Sequence, residues 1–274
     1  MVVFPNCKIN LGLNIIRKRE DGFHDLETVF YPLHLNDALE VIRSPEHSGN
    51  GGIRFTQTGI PIPGDPANNL CVKAWHLLRK DYPQLGSVDC HLHKVIPMGA
   101  GLGGGSADGA FMLQLLNQVF HLEIDPAELR NYALLLGSDC PFFIHNSPCF
   151  ATGRGEIMEP FRIDLSEYKI VLVNPGLPIS TAQAFDGIQP ARPAVSLTRI
   201  LQQPVQEWEQ QLFNDFEKSL ASAYPVLDTI KNKLYAQGAV YASLTGTGST
   251  VYGLFEKKHT LPFIPQPEWT VYEG

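Results

Sequence analysis

The residues most suggestive of chemistry lie in the run PMGAGLGGGS at 97 to 106, where Gly99, Gly101, Gly103, Gly104 and Gly105 make up five of the seven residues from 99 to 105. Glycine lets a backbone approach an anion closely, several N–H groups can converge on it, and a helix starting at the end of the run adds a favourable dipole. The chemistry implied is the binding of nucleotide phosphates. Gly99, Gly101 and Gly104 also spell GxGxxG, but a dinucleotide-binding unit needs a strand after its helix with an acidic residue about twenty positions on, and here a second helix starts at Asp125. A Walker A loop fails because no lysine follows the glycines. A turn without a ligand is the remaining reading, and five glycines make it entropically expensive. Lys8 is the second feature. It interrupts the apolar segment around Cys7, Ile9 and Leu11, where an ammonium needs a carboxylate or an anionic ligand unless it reaches water from an edge strand. Asn10 falls on the same side of a strand as Lys8, although a turn would also accept an asparagine. His91 and His93 share a strand face, but no third ligand lies nearby and alternation accounts for them.

The elements that must hold these residues follow from periodicity. Residues 2 to 16 alternate as a strand or bent hairpin, a polar turn spans 18 to 25, and β-type runs occupy 26 to 42 and 52 to 58, separated by a Gly/Ser/Asn-rich segment at 44 to 52. Asn68 and Asn69 can cap a helix over LCVKAWHLLRK, and a strand covers 87 to 96. After the glycine run, Ala110, Leu113, Leu116 and Phe120 mark one face of a helix that Ser106 could cap. Asp125, Pro126 and Glu128 announce the start of the next helix, and Gly137 closes it. Strands are expected at 149 to 152 and 168 to 174, helices at 196 to 220 and 223 to 236, and a hairpin from 239 to 255. A composition shift near 153 to 165 sets the expected division into domains at 1–155 and 156–274.

Composition narrows the classes. The 274 residues suffice for one large or two medium domains, and 44% hydrophobic with 18% charged residues reads as globular. A net charge of −7 leaves no broad basic field for nucleic acid or an anionic membrane. The five cysteines show no CxxC spacing, which suits reduced thiols. No stretch approaches the ~18 apolar residues of a membrane span, and Lys8 interrupts what would be the core of a signal peptide. The expectation is a cytoplasmic protein, monomer or homodimer, acting on a small molecule.

Three segments taken together, PNCKINLGLNI at 5 to 15, PMGAGLGGGSADGA at 97 to 110 and LTGTGSTVYGLF at 244 to 255, resemble the three motifs of the GHMP kinase superfamily in order and spacing. DGFHDLETVF at 21 to 30 and LGSDCPFFI at 136 to 144 add a narrower resemblance to its branch acting on a diphosphocytidyl-linked methylerythritol in the non-mevalonate isoprenoid pathway. Cys7 stands where that branch usually has Ala, Phe23 where Tyr is common, and Thr245 to Gly248 where Ser-Gly-Ser-Gly is frequent; each keeps size or ring character.

The resemblance implies an α+β protein of two domains, with ATP and Mg2+ as cofactors and phosphorylation of the 2-hydroxyl of a cytidylyl-linked polyol. Pro97, Met98, Gly99, Ala100, Gly101, Leu102, Gly103, Gly104, Gly105 and Ser106 would bind the nucleotide, with Asn69 and Lys94 at its adenine. Asp139, just past the helix that Gly137 ends, would be the base, unless it only caps the element starting at Pro141. Lys8 would pair with Asp139 and offset charge on the transferred group. For the acceptor, Asn10 would bond the polyol, Phe23 and His24 would stack on and read the base, Phe185 would close its other face, and Thr181 would contact the diphosphate or merely cap its helix. The Thr245 to Ser249 loop would pack beside the glycine loop. Metal ligands stay unassigned, with Ser106 a candidate for Mg2+. Two other readings remain open here: a superfamily kinase with a homoserine or mevalonate-like acceptor, which has no base to stack, and an inactive nucleotide-binding regulator.

Overall fold

The computed structural model describes residues 1–44, 52–258 and 264–273. In chain order the strands are β1 (Val2–Val3), β2 (Asn6–Lys18), β3 (His24–Asn36), β4 (Ala38–Arg43), β5 (Ile53–Gly59), β6 (Val88–Lys94), β7 (Cys149–Thr152), β8 (Ile157–Pro160), β9 (Tyr168–Asn174), β10 (Tyr241–Leu244), β11 (Val251–Glu256) and β12 (Thr270–Glu273). The helices are α1 (Leu70–Asp81), α2 (Gly104–Phe120), α3 (Pro126–Leu136), α4 (Cys140–His145), α5 (Thr181–Phe185), α6 (Leu197–Ile200), α7 (Asp215–Leu220) and α8 (Val226–Ala236). The mixture is the α+β class that the sequence implies. Of the loop expected at 44 to 52, residues 45 to 51 lie outside the described residues.

Two compact units share the chain. The first comprises residues 1–7, 34–98 and 103–147. Its sheet has the order β1-β4-β6-β5, with β5 parallel to β6 and the other pairs antiparallel. Leu39 and Val41 on β4 and Val88, Cys90 and Leu92 on β6 are buried, the period of two that turns one face of a sheet to a core. Trp75 and Leu78 of α1 and Met112, Leu113 and Leu116 of α2 are buried in the same unit. α3 starts as its residues dictate: Asp125 Oδ1 accepts from the N–H groups of Ala127 and Glu128 at 2.8 and 2.9 Å, with Pro126 at the first position.

The second unit comprises residues 8–33, 99–102 and 148–274. It holds the sheets β2-β3-β7-β8 and β10-β11-β9-β12. The core of the unit gathers Leu13 and Ile15, Val171 and Val173, Phe216 and Leu220, and Ile230 and Leu234. The tail supplies β12, which pairs antiparallel with β9 from Thr270↔Asn174 to Glu273↔Val171.

Several expectations change. The units are discontinuous, and the chain leaves the first for the last time at 147/148, short of the expected cut at 155/156. Composition marks a boundary only where a linker joins two contiguous halves, and this chain instead crosses within β2 and β3. The strand expected from 2 to 16 breaks before Asn6 because Pro5 has no N–H for the ladder. The helix expected over 196 to 220 survives only as α6 and α7, with Pro204 between them and Asn214 restarting the second by accepting from the N–H of Phe216 at 3.0 Å. No helix among the described residues is long and apolar enough to cross a membrane.

Candidate active site

In the second unit, β2 carries Lys8 and Asn10 inward, and both are almost fully buried. Lys8 Nζ donates to Asn10 Oδ1 at 2.6 Å and to the Gly101 carbonyl at 3.3 Å, and stands 5.0 Å from the centre of the Phe30 ring. The backbone N–H of Lys8 donates to the Leu102 carbonyl at 3.0 Å. Asn10 is fixed in turn: its N–H donates to Thr245 Oγ1 at 3.0 Å, its Nδ2 to Thr28 Oγ1 at 2.9 Å, and its carbonyl accepts from the Tyr252 hydroxyl at 3.0 Å. The bond from Nδ2 to Thr28 and the bond from Lys8 to Oδ1 together hold the side-chain amide, with Oδ1 toward the ammonium.

The hairpin turn after β10 packs on the middle of the glycine run. The Thr250 N–H donates to the Ala100 carbonyl at 3.2 Å, and Asn214 Nδ2 ties the turn by donating to the carbonyls of Leu244 and Gly246 at 2.9 and 2.8 Å. Gly101, at φ +76°, approaches so closely that a Cβ there would lie 2.0 Å from the Thr245 carbonyl oxygen. The placement expected for the Thr245 to Ser249 loop is thus observed.

In the first unit, β6 leads through Pro97 and Met98 toward α2. The helix begins at Gly104, with Gly103 at φ 70° as its cap, a residue that brings no capping side chain. Ser106 is therefore not the cap. The left-handed Gly103 starts the helix earlier than a serine cap would, and the Ser106 hydroxyl instead lies against the Cys140 thiol. Asn69 caps α1, Oδ1 accepting from the Cys71 N–H at 2.9 Å. The side chain of Lys94 does not face outward to an adenine. Its ammonium is fully buried between the carboxylates of Asp37 and Asp108, with Asp108 Oδ2 at 2.7 Å. Asp139 precedes α4 at φ −84°, ψ −17°, and its carboxylate makes no capping bond to that helix.

The acceptor-side residues fall in the second unit. The turn before β3 is braced by Arg19, whose Nη1 donates to Asp25 at 3.0 Å and Nη2 to Asp21 at 2.9 Å, while Asp21 Oδ1 accepts from the Phe23 N–H at 3.1 Å. Phe23 is 54% exposed, with the Arg154 guanidinium 5.0 Å from its ring centre. His24 stacks on Phe185, centroids 4.6 Å apart and planes inclined by 21°, and Phe185 meets Phe216 edge-on at 4.9 Å. Burial, followed by the nearby Lys18 charge, lowers the His24 pKa, which favours the neutral imidazole. Thr181 opens α5 but does not cap it. Ser180 does so, with Gln183, in a reciprocal box. Sequence reasoning missed Asp37, Asp108, Tyr252 and Asn214. Asp108 alone carried a signal, one helical turn past Gly104.

Comparison with known proteins places the chain in a family. Residues 69–147 match the family model of the GHMP kinases N terminal domain and residues 197–264 that of the GHMP kinases C terminal domain, together more than half of the chain. A 4-diphosphocytidyl-2-C-methyl-D-erythritol kinase of Bacteroides thetaiotaomicron is 51% identical over 262 residues, covering 96% of this chain and 94% of its own. A kinase of the same name from Salinibacter ruber is 35% identical over 92% of this chain and 88% of its own. The crystal structure of a 4-(cytidine 5'-diphospho)-2C-methyl-D-erythritol kinase superposes with a TM-score of 0.81 at 31% identity, covering 94% and 92% of the two chains. The mevalonate kinase of Methanococcus jannaschii, at 13% identity and a TM-score of 0.72, shares the fold over 100% of this chain and 97% of its own. The chain is a kinase of the GHMP family, and within it belongs to the 4-diphosphocytidyl-2-C-methyl-D-erythritol kinases.

Proposed function

We propose that this protein transfers the γ-phosphoryl group of ATP to the 2-hydroxyl of 4-diphosphocytidyl-2-C-methyl-D-erythritol, in the cytoplasm, within isoprenoid precursor synthesis. The observation that carries the reading is the 51% identity, over almost the whole chain, to a kinase of that name. An ammonium held by an amide and by the glycine run itself supports it.

Phosphoryl transfer needs aligned reactants, charge neutralisation and a proton acceptor. The glycine run and the uncapped first turn of α2 would receive the ATP phosphates, with Asn69 at the adenine. Asp139, just before α4, would take the proton from the acceptor hydroxyl as its oxygen bonds the γ-phosphorus and the bond to the ADP oxygen breaks. Lys8 would offset charge on the moving group. Asn10 would orient the polyol and Thr181 the diphosphate. Phe23, His24 and Phe185 would take the cytosine, the neutral imidazole reading its polar edge. Magnesium fits as a companion of the phosphates, supplying charge neutralisation when bound. Ser106, whose hydroxyl sits at Cys140 beside Asp139, is the protein oxygen we assign to it.

ADP release by the purified protein with Mg-ATP tests this, comparing the diphosphocytidyl acceptor with homoserine, mevalonate and no acceptor. Turnover is expected with the cytidylyl compound alone. Turnover with homoserine or mevalonate, or ATP binding without turnover on any acceptor, overturns it.

A further inference from the structure

Both ends of the glycine run rest on one buried ionic cluster that phosphoryl transfer does not itself require. Lys94, the last residue of β6, places its ammonium between Asp37, from the turn joining β3 to β4, and Asp108, from the second turn of α2. The side chains of Lys94 and Asp37 are wholly buried and that of Asp108 is 3% exposed. Asp37 acts twice. Its Oδ2 bonds the ammonium while its Oδ1 accepts from the N–H groups of Val95 and Ile96 at 2.6 and 2.9 Å, fixing the backbone where it leaves the strand. At the other end, Gly104 lies directly on the cluster. A Cβ there would come within 2.7 Å of Ile96 Cγ2 and 3.0 Å of Lys94 Nζ.

We propose that Asp37, Lys94 and Asp108 form a charge clamp that sets the spacing between the end of β6 and the start of α2, making Asp37 and Asp108 positioning residues for the phosphoryl donor. The proposal rests on the reading that residues 97 to 106 cradle the ATP phosphates. A buried ion cluster is a weak source of stability compared with apolar packing of the same volume. Its strength is geometric: each charge must keep its partners, so the strand end and the helix start cannot drift apart without leaving a charge buried and unpaired. Burial, reinforced by the neighbouring Asp37 carboxylate, raises the Asp108 pKa despite Lys94. Burial would lower the Lys94 pKa, but the two carboxylates outweigh it and leave it raised, so the lysine stays charged. Donors that receive phosphates must be in place before the ligand arrives, because reorganising them on binding costs affinity.

The test is Asp108→Asn in the full chain, with KM for ATP and for the acceptor measured separately and folding followed by circular dichroism. The amide keeps the shape but loses the charge that holds Lys94. We expect an unchanged fold, an ATP KM raised about tenfold and an acceptor KM within about twofold of the parent. A folded variant with an unchanged ATP KM overturns the clamp, as does an equal rise in both constants, which is what general loosening gives. Should Asp108→Asn fail to fold, Asp37→Asn decides by the same criterion, since it removes the other carboxylate that holds Lys94 from outside the glycine run. Gly99→Ala separates the two readings, because a Cβ there meets no described atom within 4 Å and would stand in the cradle itself. If Gly99→Ala weakens ATP and Asp108→Asn does not, the clamp is wrong and the cradle stands; if neither does, the cradle reading has failed with it.

Discussion

Asp139 and His24 test the residue scale, because each is assigned one task that can be removed without touching the rest. Asp139→Asn keeps the size and shape of the side chain and removes the proton acceptor, with circular dichroism checking that the fold is kept. Turnover is expected to fall by ~10² or more, the usual effect of deleting a general base, with the ATP dissociation constant from calorimetry nearly unchanged. Turnover within a fewfold of the parent would remove Asp139 from the mechanism. For His24 the sign of the pH dependence follows from its environment. Burial and then Lys18 shift it below 6.5, so the imidazole is neutral at and above that pH, and protonation competes with base recognition only as pH falls further. The acceptor KM should be flat above pH 6.5 and rise below it, while in His24→Gln the rise disappears and the ATP KM follows its own profile. An acceptor KM indifferent to His24 at every pH would exclude it from the base site.

At the scale of elements, the glycine run is one segment with two different structural demands, and single substitutions distinguish them. Gly101 combines φ +76° with a carbonyl oxygen 2.0 Å from where a Cβ would stand. A left-handed backbone alone costs an L-residue roughly 1–2 kcal/mol, and here the turn 245 to 248 must also withdraw. Gly101→Ala should therefore lower Tm by about 5 °C or more, given the ~2–4 °C per kcal/mol typical of this chain size; a Tm within a degree of the parent would show that the turn yields freely. The run was legible because five glycines before a helix have few other uses. The caps of α1 and α3 were legible because Asn69 and Asp125 act through bonds to the residues that follow them. Lys8 and Asn10 could be read as facing one side because a strand alternates. The partner of Lys94 was not legible, since Asp37 is 57 residues away in sequence and only the pairing of β4 with β6 brings them together. Nor was the start of α2, which depends on the backbone angle at Gly103. The long helix expected over 196 to 220 shows the converse limit: apolar spacing persisted across a segment whose path is set by Pro204 and Asn214.

The whole molecule is two units threaded by one chain, and its five thiols report on whether they unfold together. None of the five cysteines forms a disulfide, and all five are buried. Burial raises Cys149 to about 12, and raises Cys140 to about 12 against its bond from Ser106, so neither is a thiolate at neutral pH. A reagent that needs thiolate in water can reach them only through opening of the structure. Cys7, Cys71, Cys90 and Cys140 belong to the first unit and Cys149 to the second. The chain passes between the units at 7/8, 33/34, 98/99, 102/103 and 147/148. β2 and β3 each begin in one unit and end in the other, so unfolding of either unit frays strands that the other also holds. Ellman's reagent at pH 8 should therefore react negligibly with the native protein and, along a guanidinium titration, label all the thiols in one transition coincident with loss of circular dichroism. If Cys149 were labelled at a lower denaturant concentration than the other four, the second unit would be an independent folding unit, and the shared strands would be a path of the chain rather than a source of cooperativity.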